Sequence, residues 1–272
     1  MFTSTMTYEE IYQAISDEMH DVYDHYEKVV KPKMDRFLKT RNRFPARMSI
    51  EWQHPNTHNT YHYYVQSNRK AQWKNPFMSI LCEYERNYGK ELLIVIPNLQ
   101  KKELLLHVFT SHFYKRYGER FMNGETDYYR IVSQYLIRNT KSASMGKECV
   151  SLREQQEEVP GYDKEAMLTL DGLGLGLRSK NRNIIIYKTF ISFDKLHDSQ
   201  FHKVWPIFLY FVCGLAIESS PKNKLIINDI YEAGAREIHQ LGDDNSITKE
   251  EKCKLVDKVY GQTYIELAKY IP

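Results

Sequence analysis

The spacing of apolar residues changes twice along the chain. From Tyr8 onward, Ile11, Ile15, Met19, Val22, Tyr26 and Val29 recur every three or four residues, the period of a helix with one buried stripe. Thr7-Tyr-Glu-Glu10 is a capping box that starts it, and Pro32 kinks it or opens a second helix running to about Lys39. After Pro45 the period falls to two. Met48-Ser-Ile50-Glu-Trp52 alternates, Tyr61-His-Tyr63-Tyr-Val65 is rich in β-formers, and strands over 78–85 and 92–96 flank an Asn87-Tyr-Gly89 turn. A strand over 104–108 leads directly into a helix carrying His112, and another helix covers 127–137.

Residues 140–161 are polar and irregular, the segment best suited to a mobile loop or lid. Stretches 166–170, 173–179 and 183–192 read as two successive hairpins, the first closed by Asp171-Gly172, a strong two-residue turn signal. Helical spacing returns over 194–217, 222–240 and 248–268, the last opened by a second capping box, Thr248-Lys-Glu-Glu251. The strands are grouped, with no βαβ alternation, no internal repeat and no Pro-rich linker. This predicts one α+β domain over 1–272: an antiparallel sheet with N-terminal and C-terminal helical flanks (1–44 helical, 45–192 the sheet-containing core, 193–272 helical).

Composition narrows the picture slightly. A chain of 272 residues buries a sizeable core, and its hydrophobic and charged shares are those of an ordinary globular protein. A net charge of +3 permits nucleic-acid binding through a local patch without arguing for it. Basic residues gather in Lys39-Thr-Arg41-Asn-Arg43 and Arg178-Ser-Lys180-Asn-Arg182, each at an element boundary where solvated charge is usual. The 21 tyrosines can stack on bases, but filling half-buried positions is their commoner use. Cys82, Cys149, Cys213 and Cys253 are scattered with no C-x-x-C pair, which fits a reducing compartment and argues against a disulfide framework or a cysteine zinc site. The N-terminus lacks a basic region followed by an apolar one. The uncharged run from Val204 to Ile217 is about 14 residues, short of the roughly 20 a span needs, and reads as a deeply buried helix. These features predict a cytoplasmic protein without a membrane segment.

The candidate chemistry lies in Thr-Ser-His112-Phe-Tyr-Lys-Arg116-Tyr-Gly-Glu-Arg120. Helical spacing places His112, Arg116 and Arg120 on one face, with Phe113, Tyr117 and Phe121 as an adjacent anchoring stripe. A titratable imidazole in line with two permanent cations suits a phosphodiester. Metal-free RNA cleavage needs a base, an acid and cations for the charged phosphorane, which histidine and arginines supply. A solvated face paired with Glu119 has the same pattern, and Gly118 in mid-helix marks a close approach. Gly172-Leu-Gly174-Leu-Gly176-Leu is neither a dinucleotide fingerprint nor a P-loop. On a strand its glycines share one face, which a helix or a ligand backbone can approach, helix packing being the commoner use. Lys188, Thr189 and Ser192 stand where an apolar strand runs out, a common place for site residues and equally for an ordinary edge. His54, His58 and His62 would be a metal face on a helix, but Pro55 and Asn56 make the segment a turn, so no metal ligands are assigned.

The His112/Arg116/Arg120 run, the later Asp-Gly hairpin and the strand ending in Lys188-Thr189-Phe190 together resemble small bacterial domains with a His-x-x-x-Arg-x-x-x-Arg helix followed by an antiparallel sheet. Those domains look like distant members of the barnase, EndoU, colicin-type tRNase and RelE-like toxin fold. The resemblance covers residues 104–192. It implies a bacterial, metal-independent ribonuclease with His112 as base or acid, Arg116 and Arg120 on the phosphate, and Lys188 or Thr189 assisting, with no cofactor. The rival expectation is a non-catalytic interaction or scaffold protein, as a homo-oligomer or with a protein partner, using its tyrosines and terminal helices.

Overall fold

A computed structural model describes residues 2–74, 76–98, 103–139, 141–145, 159–180, 183–196, 198–243, 246 and 248–271. By packing, the chain divides into two compact units, one spanning 1–146 and 150–195 and the other 147–149 and 196–272.

The first unit is α+β. Helix α1 (Tyr8–His25) opens with the expected capping box on Thr7. Residues Tyr26–Val30 form a π turn in which Lys31 N–H bonds Tyr26 O, and α2 (Lys31–Thr40) continues directly from it, with Pro32 one residue past the turn. Among the described residues nine strands make one sheet: β1 (Ala46–Gln53), β2 (Thr60–Ser67), β3 (Phe77–Arg86), β4 (Gly89–Asn98), β5 (Glu103–Phe109), β6 (Ala143–Ser144), β7 (Tyr162–Leu168), β8 (Gly172–Ser179) and β9 (Ile184–Ser192). Their order is β1-β2-β3-β4-β5-β9-β8-β7-β6. Every neighbouring pair is antiparallel except β5 and β9, which run parallel with Leu106 opposite Ile184 and Phe109 opposite Tyr187. Two meanders are thus joined along one parallel seam. The expected loop over 140–161 lies mostly outside the described residues; within it, Ala143–Ser144 forms the edge strand β6.

Both faces of the sheet are covered. On one, Ile11, Ile15 and Val22 of α1 pack against Tyr61, Tyr63, Val95 and Val108. A buried carboxylate is tolerated there because it is saturated: Glu18 accepts from Asn59 Nδ2 (2.6 Å) and Tyr61 Oη (2.7 Å). On the other, α3 (Ser111–Phe121) and α4 (Tyr128–Arg138) build an aromatic core from Phe109, Phe113, Tyr114, Tyr117, Tyr135 and Phe190. Part of the tyrosine abundance is therefore accounted for inside the molecule: Tyr61, Tyr63, Tyr84, Tyr114, Tyr117 and Tyr135 are all essentially sealed.

Glycines allow the close packing. Gly174 faces Phe113 of α3 and Tyr187, so the glycine face of β8 receives side chains from its own helix and strand. Gly118 lets the chain fold back, since a Cβ there would collide with Glu125 O and lie 2.8 Å from Ile131 Cδ1. Gly118→Ala should therefore destabilise the protein. Overpacking costs about 1–3 kcal/mol, and only roughly 1 kcal/mol returns as helix propensity. A denaturant midpoint equal to or above wild type would contradict this.

The second unit contains α5 (Asp198–Ser219), α6 (Lys224–Asp243) and α7 (Lys249–Ala268). Trp205 stacks on Tyr260, Phe208 meets Tyr264, and Gly234 of α6 sits against Thr263 of α7. The run expected to be deeply buried is buried on one side only: Phe208, Val212 and Ala216 are inside, while Pro206, Tyr210 and Gly214 are exposed. Among the described residues no single helix is long and apolar enough to cross a membrane.

Candidate functional site

Helix α3 starts where β5 ends because Thr110 caps it, its hydroxyl accepting from Phe113 N–H at 3.3 Å. The same hydroxyl reaches Tyr187 O (3.2 Å) and Lys188 O (3.1 Å), tying the helix N-terminus to β9. Phe113, Tyr114 and Tyr117 turn inward, which leaves His112, Lys115, Arg116 and Glu119 outward.

Within that face Arg116 Nε approaches His112 Nε2 at 3.4 Å, and its Nη1 pairs with Glu119 at 2.8 Å. Arg120 bends toward the sheet and donates from Nη1 to Phe190 O. Of the three residues expected on one face, His112 and Arg116 stand side by side, with the Glu119 pairing weighed against them also present, while Arg120 is drawn to the β9 backbone. Partial burial lowers the His112 pKa first, and Arg116, Lys115 and Arg120 lower it further against the opposing pull of Glu119. The ring is biased toward its neutral, proton-accepting form. Burial and the neighbouring Arg116 likewise lower the pKa of Arg120.

The two β9 residues part company. Pairing shifts by one residue between Leu175 and Gly176: Gly176 faces Tyr187, whereas Leu175 faces Thr189. Lys188 is the extra residue of this bulge, with its side chain exposed and its carbonyl bound to Thr110. Thr189 shares the Leu175 face, opposite the one on which α3 packs through Phe113 and Phe190. Lys188 thus sits by the helix start, and Thr189 is turned away from it.

Beneath the helix lies an anchor not expected from the sequence. Asp171, fully buried, accepts from Tyr117 Oη (2.7 Å), Asn139 Nδ2 (2.9 Å) and Arg138, whose Nε lies 2.8 Å and 3.0 Å from the two carboxylate oxygens. Asp171-Gly172 was expected to form a two-residue turn. Instead Leu168 pairs with Leu173 across a four-residue loop in which Thr169 N–H bonds Gly172 O, and Asp171 is spent on joining α3, α4 and the β7–β8 hairpin. The sequence signal available was an Asp placed one residue before a strand, with Arg138-Asn139 ending a helix.

Of the three spaced histidines, His54 is held in the turn by its own hydrogen bonds. His54 Nδ1 accepts from Asn56 N, Thr57 N and Thr57 Oγ1, while Nε2 meets Asp21 at 3.1 Å. His58 is in the left-handed region, and His62 faces Glu51. Among the described residues no group of three or more His, Cys, Asp or Glu is arranged to hold a metal. Comparison of the chain with protein-family models, curated proteins and solved structures gave no match, so the site is read from its own chemistry.

Proposed function

We propose that the protein binds RNA through the outer face of α3 and cleaves it without a metal. The observation that carries this reading is the juxtaposition of a partly desolvated, neutral-biased imidazole with Arg116, 3.4 Å away, on an exposed helix face. In this reading a phosphodiester displaces the Arg116–His112 contact. Arg116, with Arg120 behind it, neutralises the phosphorane, and His112 accepts the 2′-hydroxyl proton. The 2′-oxygen then bonds to phosphorus as the bond to the 5′-oxygen breaks, leaving a cyclic phosphate, and solvent protonates the departing 5′-oxygen. Lys188 adds a cation beside the helix start; Thr189, facing away, takes no part.

Phosphate contacts release counterions, so affinity must fall with salt. Each phosphate contact to single-stranded RNA contributes about −0.7 to the slope of log affinity against log salt, and Arg116→Ala should make the slope shallower by about that amount. An unchanged slope would place the phosphate elsewhere.

The interaction-protein reading has one observation in its favour. In the helical unit Tyr210 is 70% exposed and Leu225 79% exposed, with Ile226 and Ile265 also outward. Concentration-dependent mass in light scattering, abolished by Leu225→Lys, would support self-association through that unit.

A further inference from the structure

Charge in this chain is unevenly placed. Residues 31–47 and 69–74 hold ten of its 38 lysines and arginines and, with Asp35, one of its 35 acidic residues. The fold brings these two segments together. Met34 and Leu38 of α2, Ala46 at the start of β1, and Phe37, Phe44 and Trp73 share one apolar cluster with Val65. Around it Lys33, Arg36, Lys39, Arg41, Arg43, Lys70 and Lys74 are all exposed, and none of them has a carboxylate within ion-pair distance among the described residues. Elsewhere exposed lysines do find partners, as Lys28 does with Asp24 and Lys254 with Glu250. A cationic patch this depleted in counter-charge raises the local concentration of polyanions.

Aromatic rings lie within the patch. Lys39 Nζ stands 4.8 Å and Lys74 Nζ 5.5 Å from the ring centre of Trp73, and Arg41 covers the Phe37 ring at 4.3 Å. Trp73 and Phe37 are half-buried against the cluster, with these mobile cationic side chains over their rings.

We propose that this surface, formed by α2, the start of β1 and the β2–β3 connection, is a binding platform for single-stranded RNA. Lys39, Lys74 and Arg41 swing from the rings to the phosphates, and the ring faces of Trp73 and Phe37 they leave stack bases, a combination that unpaired strands fit and duplexes, with their bases already stacked, do not. An anionic membrane fits less well, since no large apolar side chain of these segments projects into solvent to enter lipid. The identity of the partner rests on the RNA reading above; the surface itself is separate from α3.

The test uses the full chain and a fluorescent 2′-O-methyl RNA of about 20 nucleotides, longer than the roughly 4–16-nucleotide footprint of such platforms and unable to be cleaved through its 2′ position. Lys39, Arg41 and Arg43 are exposed, so the triple change Lys39→Glu, Arg41→Glu and Arg43→Glu should leave the circular dichroism spectrum intact. It should weaken binding at least about tenfold and lower the salt slope by about 2. Trp73→Leu keeps apolar volume in the cluster and should weaken binding about 5–100-fold through lost stacking. Wild-type affinity in the triple variant, no binding of the probe by wild type, equal affinity for the matching duplex, or capture by phosphatidylserine vesicles in preference to the RNA would each overturn the proposal. Patch-dependent binding without cleavage of ordinary RNA in chelator would leave it standing and remove the α3 nuclease reading. Cleavage by a triple variant of undiminished affinity would do the reverse.

Discussion

Replacing His112 by alanine should slow cleavage of mixed RNA in excess chelator by about 10²–10⁴-fold, the usual worth of a positioned acid–base group. Arg116→Ala should fall in the same range, because it removes both a phosphate contact and the guanidinium that approaches Nε2 at 3.4 Å. The pH profile carries a sharper signature. Burial and three nearby cations hold His112 below the ordinary histidine value of 6.5, so the catalytic form persists into mildly acidic solution. The acid limb of kcat/KM should therefore lie below pH 6.5, and removing the Arg116 charge should move it upward. Cleavage unchanged in His112→Ala would transfer the activity to another part of the chain. An acid limb at or above pH 6.5 would mean that the titrating base is not His112 in this setting.

The elements were legible in the sequence because their causes are local. Two capping boxes, the Thr110 and Asp127 caps, and alternation along the strands all act within a few residues. The parallel seam between β5 and β9 was not, since it joins residues nearly eighty positions apart and carries no local mark. The bulge that exposes Lys188 and turns Thr189 to the far face is likewise set by pairing with β8. At the candidate site, helical spacing alone put His112 and Arg116 side by side. Spacing could not reveal that Gly118 serves the fold-back onto Glu125 and Ile131, where a ligand's approach was the other use for it. The basic patch was visible only by half: Lys39, Arg41 and Arg43 are one short run, but Trp73 joins them through tertiary packing.

Acid should destabilise the first unit through a different histidine. His107 of β5 packs between Phe109 and Tyr187, with its Nε2 sealed from water and without a hydrogen-bond partner. Burial, reinforced by Arg178 and partly offset by Glu165, pushes its pKa down to about 4 from 6.5. The unfolded chain therefore binds this proton more readily than the folded one. The stabilising contribution is fully present above pH 6.5 and is lost as pH falls toward 4, amounting to about 3 kcal/mol once both states are protonated. Glu91 acts in the opposite sense: burial raises its pKa despite donation from Tyr8, Tyr88 and Arg86, so protonating it favours the folded state. The comparison that isolates His107 is wild type against His107→Leu, in denaturant midpoints between pH 7 and pH 4 read from Tyr187 and its neighbours by NMR. The variant should lose the His107 share of the acid slope while keeping that of Glu91. A His107 ring whose NMR signals titrate near pH 6.5 in the native protein would show that water reaches Nε2, and the predicted acid sensitivity would then have no source in this residue.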